Sequence, residues 1–249
     1  MPNGIQAPAF LRSLLLACAL AGSAANLAAQ DLTARITTFL QQADGGPLAQ
    51  VYDLAPVLAD VAGLKGRKVA LNKGSNVHYL LVKALAAAGV AYAEIEPVYL
   101  PPADARAAFE RGAVDAWAIW DPFLAAAQAA TEARTLVDGT GLVKNHQFYL
   151  ASQSFAAREP EILHGVLADL IETDHWGKDN AAEVAGLLAP RMGIPAPILE
   201  TALARMGYGV QPVDEAVTAE QQKIADTFTE LGLLPKPITV RDAVWKASA

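Results

Sequence analysis

Apolar positions along the middle of the chain follow two rhythms. Runs at 69–71, 96–100, 116–120 and 135–137 read as short strands, and the stretches between the first of them space their apolar residues three and four apart, as helices do. A series of this kind predicts a mainly parallel sheet covered by helices, an α/β fold. After a fifth strand at 147–151 the rhythm turns helical, with candidates at 160–175, 180–188, 197–206 and 217–231 divided by Pro and Gly. Nearer the amino terminus, 32–42 carries the apolar spacing of one amphipathic helix, followed by a Gly-Gly-Pro turn at 45–47. Together these leave room for about one βα unit before residue 64.

The segment VALNKGSNVHYLLVKALAAAG, 69–89, predicts a strand that turns through Gly74 and Ser75 into a helix. With Ser75 as N-cap, Val77, Leu80, Leu81, Ala84, Leu85 and Ala88 form one apolar stripe, and Gly89 supplies the stop. The stripe docks the helix, and its first turn, Asn76, Val77 and His78, offers backbone N–H groups that lack intrahelical partners. Such an end attracts anions through its donors and its dipole. In a parallel sheet it also lies beyond the carboxyl ends of the strands, where ligands sit. An ordinary capped helix that binds nothing accounts for the same residues.

In AVDAWAIWDPF, alternation puts Trp117 and Ile119 on one face and leaves Trp120 and Asp121 at the strand's carboxyl end, before Pro122 breaks the ladder. Trp120 and Asp121 therefore read either as pocket wall and hydrogen-bond acceptor, or as a core tryptophan and an Asp-Pro turn. Lys144, Asn145, His146 and Gln147 form a polar cluster before the fifth strand, read as a solvated loop or as hinge and cleft residues. His78, His146, His164 and His175 show no short metal-ligand spacing, and no nucleophile elbow, phosphate loop or dinucleotide fingerprint is present. His164 and His175 are expected on helix surfaces. The sequence thus favours binding over catalysis and calls for no cofactor.

Charge and the amino terminus narrow the setting. The 249 residues carry a formal net charge of -7, which argues against nucleic acid or an anionic membrane as main partner but leaves a local site for a small anion open. Residues 1–29 read as a cleaved secretory signal: Arg12 precedes a Leu and Ala run that ends in small residues near Ala25 and Ala29. No later segment has the roughly twenty apolar residues needed to span a bilayer, so the mature chain is expected not to insert in the membrane. A second reading takes Leu15 to Cys18 as a lipoprotein cleavage box with Cys18 as anchor; if Cys18 is removed, no thiol remains.

LKGRKVALNKGSNVHYLLVKAL, YLPPADARAAFERGAVDAWAIWDPF and DGTGLVKNHQFYLAS, in that order, closely resemble the aliphatic sulfonate substrate-binding proteins of bacterial ABC transporters, and the likeness runs from about 64 to near 245. The resemblance implies a bilobal type II periplasmic-binding-protein-like α/β fold that closes on its ligand through a hinge. It implies a second lobe at 67–145 and a return to the first lobe at 146–249. Residues 30–66 would be a remnant of the first lobe's amino-terminal part, leaving that lobe incomplete. It implies Gly74, Ser75 and Asn76 as holders of the sulfonate oxygens, His78 and Asp121 as further contacts, and Trp120 beside the alkyl chain. The implied role is that of a periplasmic receptor, not an enzyme, which delivers a small anion to a permease and its ATPase subunits. The alternative is a non-binding remnant acting through its surface.

Overall fold

In a computed structural model, which describes residues 36–41, 49–53, 58, 60–131 and 133–245, the sequence's two most apolar strand candidates lie side by side. Strand β1 is Ile36–Gln41, β2 Ala49–Asp53 and β3 Lys68–Leu71. Helix α1, Asn76–Ala87, leads to β4, Glu96–Tyr99; α2, Pro102–Glu110, leads to β5, Ala116–Trp120; and α3, Phe123–Ala130, leads to β6, Arg134–Asp138. Strands β2 to β6 form a five-stranded sheet of order β4-β3-β5-β2-β6. β3 is parallel to β4 and to β5, whereas β2 is antiparallel to both β5 and β6. Four strands therefore run one way, as the alternating pattern predicts, and β2 alone is reversed.

Alternation along β3 and β5 divides the core into two layers. Val69, Leu71, Ala116 and Ala118 face Val77, Leu80, Leu81 and Leu85 of α1. Ala70, Trp117 and Ile119 face Ala105, Ala108 and Phe109 of α2 and Leu124 and Ala127 of α3. Val77, Leu80, Leu81 and Leu85 are fully buried. Each contributes roughly 1.5–3 kcal/mol, an upper figure because denatured chains are already partly collapsed. Gly89, with φ +73°, ends the α1 turn in a conformation that other residues resist.

The remaining strands build a second, three-stranded sheet of order β7-β1-β8, from β7, Gln147–Ser152, and β8, Val210–Gln211. Here the helix expected at 32–42 is corrected, because its described part, Ile36–Gln41, is β1, paired antiparallel with all of β7. Ile36, Thr37 and Thr38 are β-branched residues, which favour strands, and their register partners are Ser152, Ala151 and Leu150 of β7, so strand pairing overrides an apolar spacing that suits a helix. β2 corrects the expectation of a single βα unit as well, since two strands occupy this region. Residues 1–29, with the signal reading and Cys18, and the turn at 45–47 lie outside the described residues.

Past β7 the chain is helical, as its periodicity indicates. α4 is Gln153–Arg158, α5 Pro160–Asp179, α6 Ala181–Met192, α7 Ala196–Arg205 and α8 Glu215–Glu230. α6 and α7 form a hairpin closed by Ala185, Leu199 and Leu203. His164 and His175 are exposed on α5.

Candidate functional site

The turn between β3 and α1 is tied down residue by residue. Gly74 sits at φ +75°, and its amide donates to Nδ1 of His78 at 3.0 Å. Ser75 occupies the N-cap position, but its hydroxyl turns back to donate to the Asn72 carbonyl at 2.7 Å and caps nothing in the helix. The Ser75 carbonyl accepts from His78 and Tyr79, so the amides of Asn76 and Val77 remain outside the helical ladder. Asn76 Nδ2 donates to Asn145 Oδ1 at 2.9 Å, joining the helix start to the segment before β7.

The end of β5 is tied to the carboxy-terminal helices. Asp121, followed by a cis bond to Pro122, accepts the Ala125 amide at 2.9 Å on Oδ1 and so caps α3. Its Oδ2 lies 3.5 Å from Arg205 Nη1 at the end of α7, with the Asp121 side chain 3% and the Arg205 side chain 24% exposed. Arg205 also donates to Gln128 Oε1 of α3 at 2.7 Å. Burial raises the Asp121 pKa above the ordinary carboxylate value, against the lowering pull of the Ala125 amide and the Arg205 charge. Trp120 is half-buried and meets Phe123 edge to face at 6.5 Å.

Between these two ties lies a cavity of about 440 Å³, within the range usual for small-molecule sites. Asn76, Asp121, Asn145, His146 and Gln147 bring polar groups to its wall, and Trp120, Leu188, Met192, Leu199, Leu203 and Met206 form most of the remainder. Of the six candidates singled out in the sequence, Asn76, Trp120 and Asp121 therefore meet at one cavity, whereas Gly74, Ser75 and His78 are absent from its wall. His78 is fully buried among Tyr92, Tyr99 and Phe228, with ring centroids 5.2, 5.9 and 5.5 Å away. Desolvation, with Lys73 adding to it, lowers its pKa to about 4, so the ring is neutral. Lys73 stands over the Tyr99 ring at 5.3 Å and is absent from the cavity wall.

Three of the cavity residues, Asn145, His146 and Gln147, come from the polar cluster whose role the sequence left open, while Lys144 is exposed outside it. The wall from α6 and α7, together with Arg205, was not anticipated. Its apolar residues carry the same spacing as any core-facing helix, so sequence alone offers no signal that they face a ligand space.

The sequence profile of the NMT1-like family matches residues 13–189. The chain belongs to the NMT1-like family. An Escherichia coli (strain K12) protein named for aliphatic sulfonate binding is 45% identical over 187 residues, 75% of this chain and 59% of that protein. The chain thus spans a little under three fifths of that relative's length. Among solved structures, the periplasmic aliphatic sulphonate binding protein SsuA from Escherichia coli superposes with a TM-score of 0.80 at 39% identity, covering 86% of this chain and 70% of that one. The alkanesulfonate-binding protein SsuA from Xanthomonas axonopodis pv. citri, bound to MOPS, gives 0.78 at 36% identity, covering 85% and 74%. This NMT1-like chain therefore has the α/β fold of the SsuA periplasmic binding proteins.

Proposed function

We propose that the chain is the periplasmic substrate-binding component of an ABC importer. It captures an aliphatic sulfonate, of the alkanesulfonate or taurine-like class, and delivers it to the membrane permease and its ATPase subunits for sulfur acquisition. The reading rests on one observation: a cavity whose polar wall holds the neutral amides of Asn76, Asn145 and Gln147 beside a helix start, with His146 and with the Asp121 carboxylate set against Arg205, and whose remaining wall is apolar. That division suits a ligand with a small permanent anion and a hydrocarbon tail. A sulfonate stays anionic at ordinary pH, so neutral donors and a helix end suffice to hold it without a paired cation. Among the described residues no helix is long and apolar enough to cross a membrane, and the related proteins of known structure are periplasmic in one case and sulfonate-binding in both.

Calorimetric titration of the purified protein with methane- to octanesulfonate, taurine and sulfate tests this. Saturable one-site heat is expected for the alkanesulfonates, with affinity rising by up to about fourfold per methylene until the apolar wall is covered. Asn76→Ala weakens the whole series alike, whereas Trp120→Ala flattens its dependence on chain length, and no compound is converted. Absence of saturable heat from folded protein, or sulfate binding as tightly as the alkanesulfonates, refutes the proposal. One observation favours a second reading: Leu150 on β7 is 60% exposed, as in a chain that works through a protein contact and not through capture. Self-association with no response to sulfonates would support that reading.

A further inference from the structure

We infer that His78 is a positioning residue for the ligand cavity: its buried ring accepts the Gly74 amide on Nδ1 and so holds the 72–76 turn with Asn76 and the helix start at the cavity wall. The inference rests on the reading of that cavity as an anion-binding site. His78 is not itself part of the wall. With Nδ1 accepting, the ring proton sits on Nε2, which is buried without a hydrogen-bond partner. A buried N–H left in that state costs stability that an apolar side chain in the same place would not. The bond to Gly74 gives the imidazole a purpose that packing alone does not.

The bond matters because of what else secures the turn. The Ser75 hydroxyl and amide both turn back to the Asn72 carbonyl, within the turn itself, and the Ser75 carbonyl serves the first turn of α1. Gly74 has φ +75° and open space where a Cβ would project, so the backbone conformation, and not crowding, singles out glycine. The His78 ring is the anchor to the surrounding core: Tyr92 precedes β4, Tyr99 ends it, and Phe228 lies on α8. The titratable groups beside the ring are Lys73 from the turn, Tyr92 and Tyr99, while α8 presents the uncharged Phe228.

Protonating His78 would convert Nδ1 from acceptor to donor and set two N–H groups against each other. Ligand affinity should then fall as the pH approaches about 4, although a sulfonate keeps its charge throughout that range.

Two variants separate positioning from packing. His78→Phe keeps a ring and removes the acceptor; His78→Asn places Oδ1 near the former Nδ1 and gives up the ring. Titration with butanesulfonate and urea unfolding are run on wild type and both variants. His78→Phe is expected to bind about tenfold more weakly, the worth of roughly one lost hydrogen bond, while unfolding at no lower urea concentration. His78→Asn is expected to unfold earlier yet stay within about twofold of wild-type affinity, with affinity level from pH 7 down to 4, where the wild type has fallen about twofold as half of its His78 is protonated. Wild-type affinity for His78→Phe, affinities that simply track stability, or a level wild-type profile down to pH 4 in folded protein each overturn the inference. If His78→Asn does not fold, the His78→Phe affinity and the wild-type profile still decide it. No butanesulfonate binding by wild type overturns the functional reading and this inference together.

Discussion

Replacing Arg205 with Met should destabilise the fold more than replacing its partner, Asp121, with Asn. The two charges lie 3.5 Å apart. Their attraction is about 5 kcal/mol at an effective dielectric of about 20, but desolvation of Asp121 and the partial exposure of Arg205 offset most of it. Arg205→Met leaves a carboxylate that is 3% exposed with one remaining donor, the Ala125 amide, and also removes the bond to Gln128. A loss of about 2–3 kcal/mol is expected, because a buried charge is stranded. Asp121→Asn keeps an oxygen for Ala125, and the partly exposed Arg205 turns to water, so about 1 kcal/mol is expected. Urea unfolding of both single variants and the double variant should give a coupling of about 1–2 kcal/mol. The sign with pH follows from burial having raised the Asp121 pKa. Its protonated form is favoured in the fold, so its contribution is present below the ordinary carboxylate range and is lost as pH rises through the folded value. The Arg205→Met deficit should therefore shrink on acidification. A coupling below about 0.5 kcal/mol, or a larger loss for Asp121→Asn, refutes the account.

Two further outcomes follow from the 72–76 turn. Gly74→Ala should lower stability by roughly 1–2 kcal/mol through left-handed backbone strain, because nothing lies within 4 Å of the added methyl; a thermal midpoint at or above wild type contradicts this. His78 gives the fold an acid dependence. Its pKa falls from 6.5 to about 4 on folding, so the unfolded chain binds the extra proton, and the stability present above pH 6.5 is lost as pH falls through that window. The loss is on the order of 3 kcal/mol. Urea midpoints measured between pH 7.5 and 4.5 should show this slope in wild type and a shallower one in His78→Asn.

What the sequence revealed depended on whether local pattern or tertiary docking decided the outcome. AWAIW, 116–120, was legible because all its residues but the last are buried and Asp121-Pro122 ends it. The α1 stripe was legible because five of its six apolar positions are buried, with Ala88 packed against the same cluster. ITTFLQ misled because Ile36, Phe39 and Leu40 fit a helical stripe as well as a strand, and only pairing with β7 chose between them. AQVYD, 49–53, is not legible because it runs against both of its neighbours, β5 and β6, and so has no place in the βαβ alternation that marks the other strands. Of the residues that the sequence marks at strand ends and a helix start, Asn76, Trp120 and Asp121 line the cavity. The inward turn of His78 was hidden because nothing local says which way a first-turn histidine points, and the α6 and α7 wall arises from docking between distant segments.

The donors at the cavity wall give a physical reason to favour a fully deprotonated head group. Asn145 Oδ1 is engaged by Asn76 Nδ2. Each amide nitrogen carries two hydrogens, so beyond this one bond the pair has three further N–H groups. Asp121 accepts the Ala125 amide on one oxygen, and its other oxygen, 3.5 Å from Arg205, is buried without a hydrogen-bond partner. An incoming anion with three accepting oxygens and no proton of its own matches this balance. A phosphonate monoanion also brings an O–H, which would have to compete with the Arg205 charge for Asp121 Oδ2. The two cross-links, Asn76 to Asn145 and Asp121 to Arg205, therefore leave amide N–H groups at the wall and set the buried carboxylate beside a cation, an arrangement compatible with a sulfonate head group.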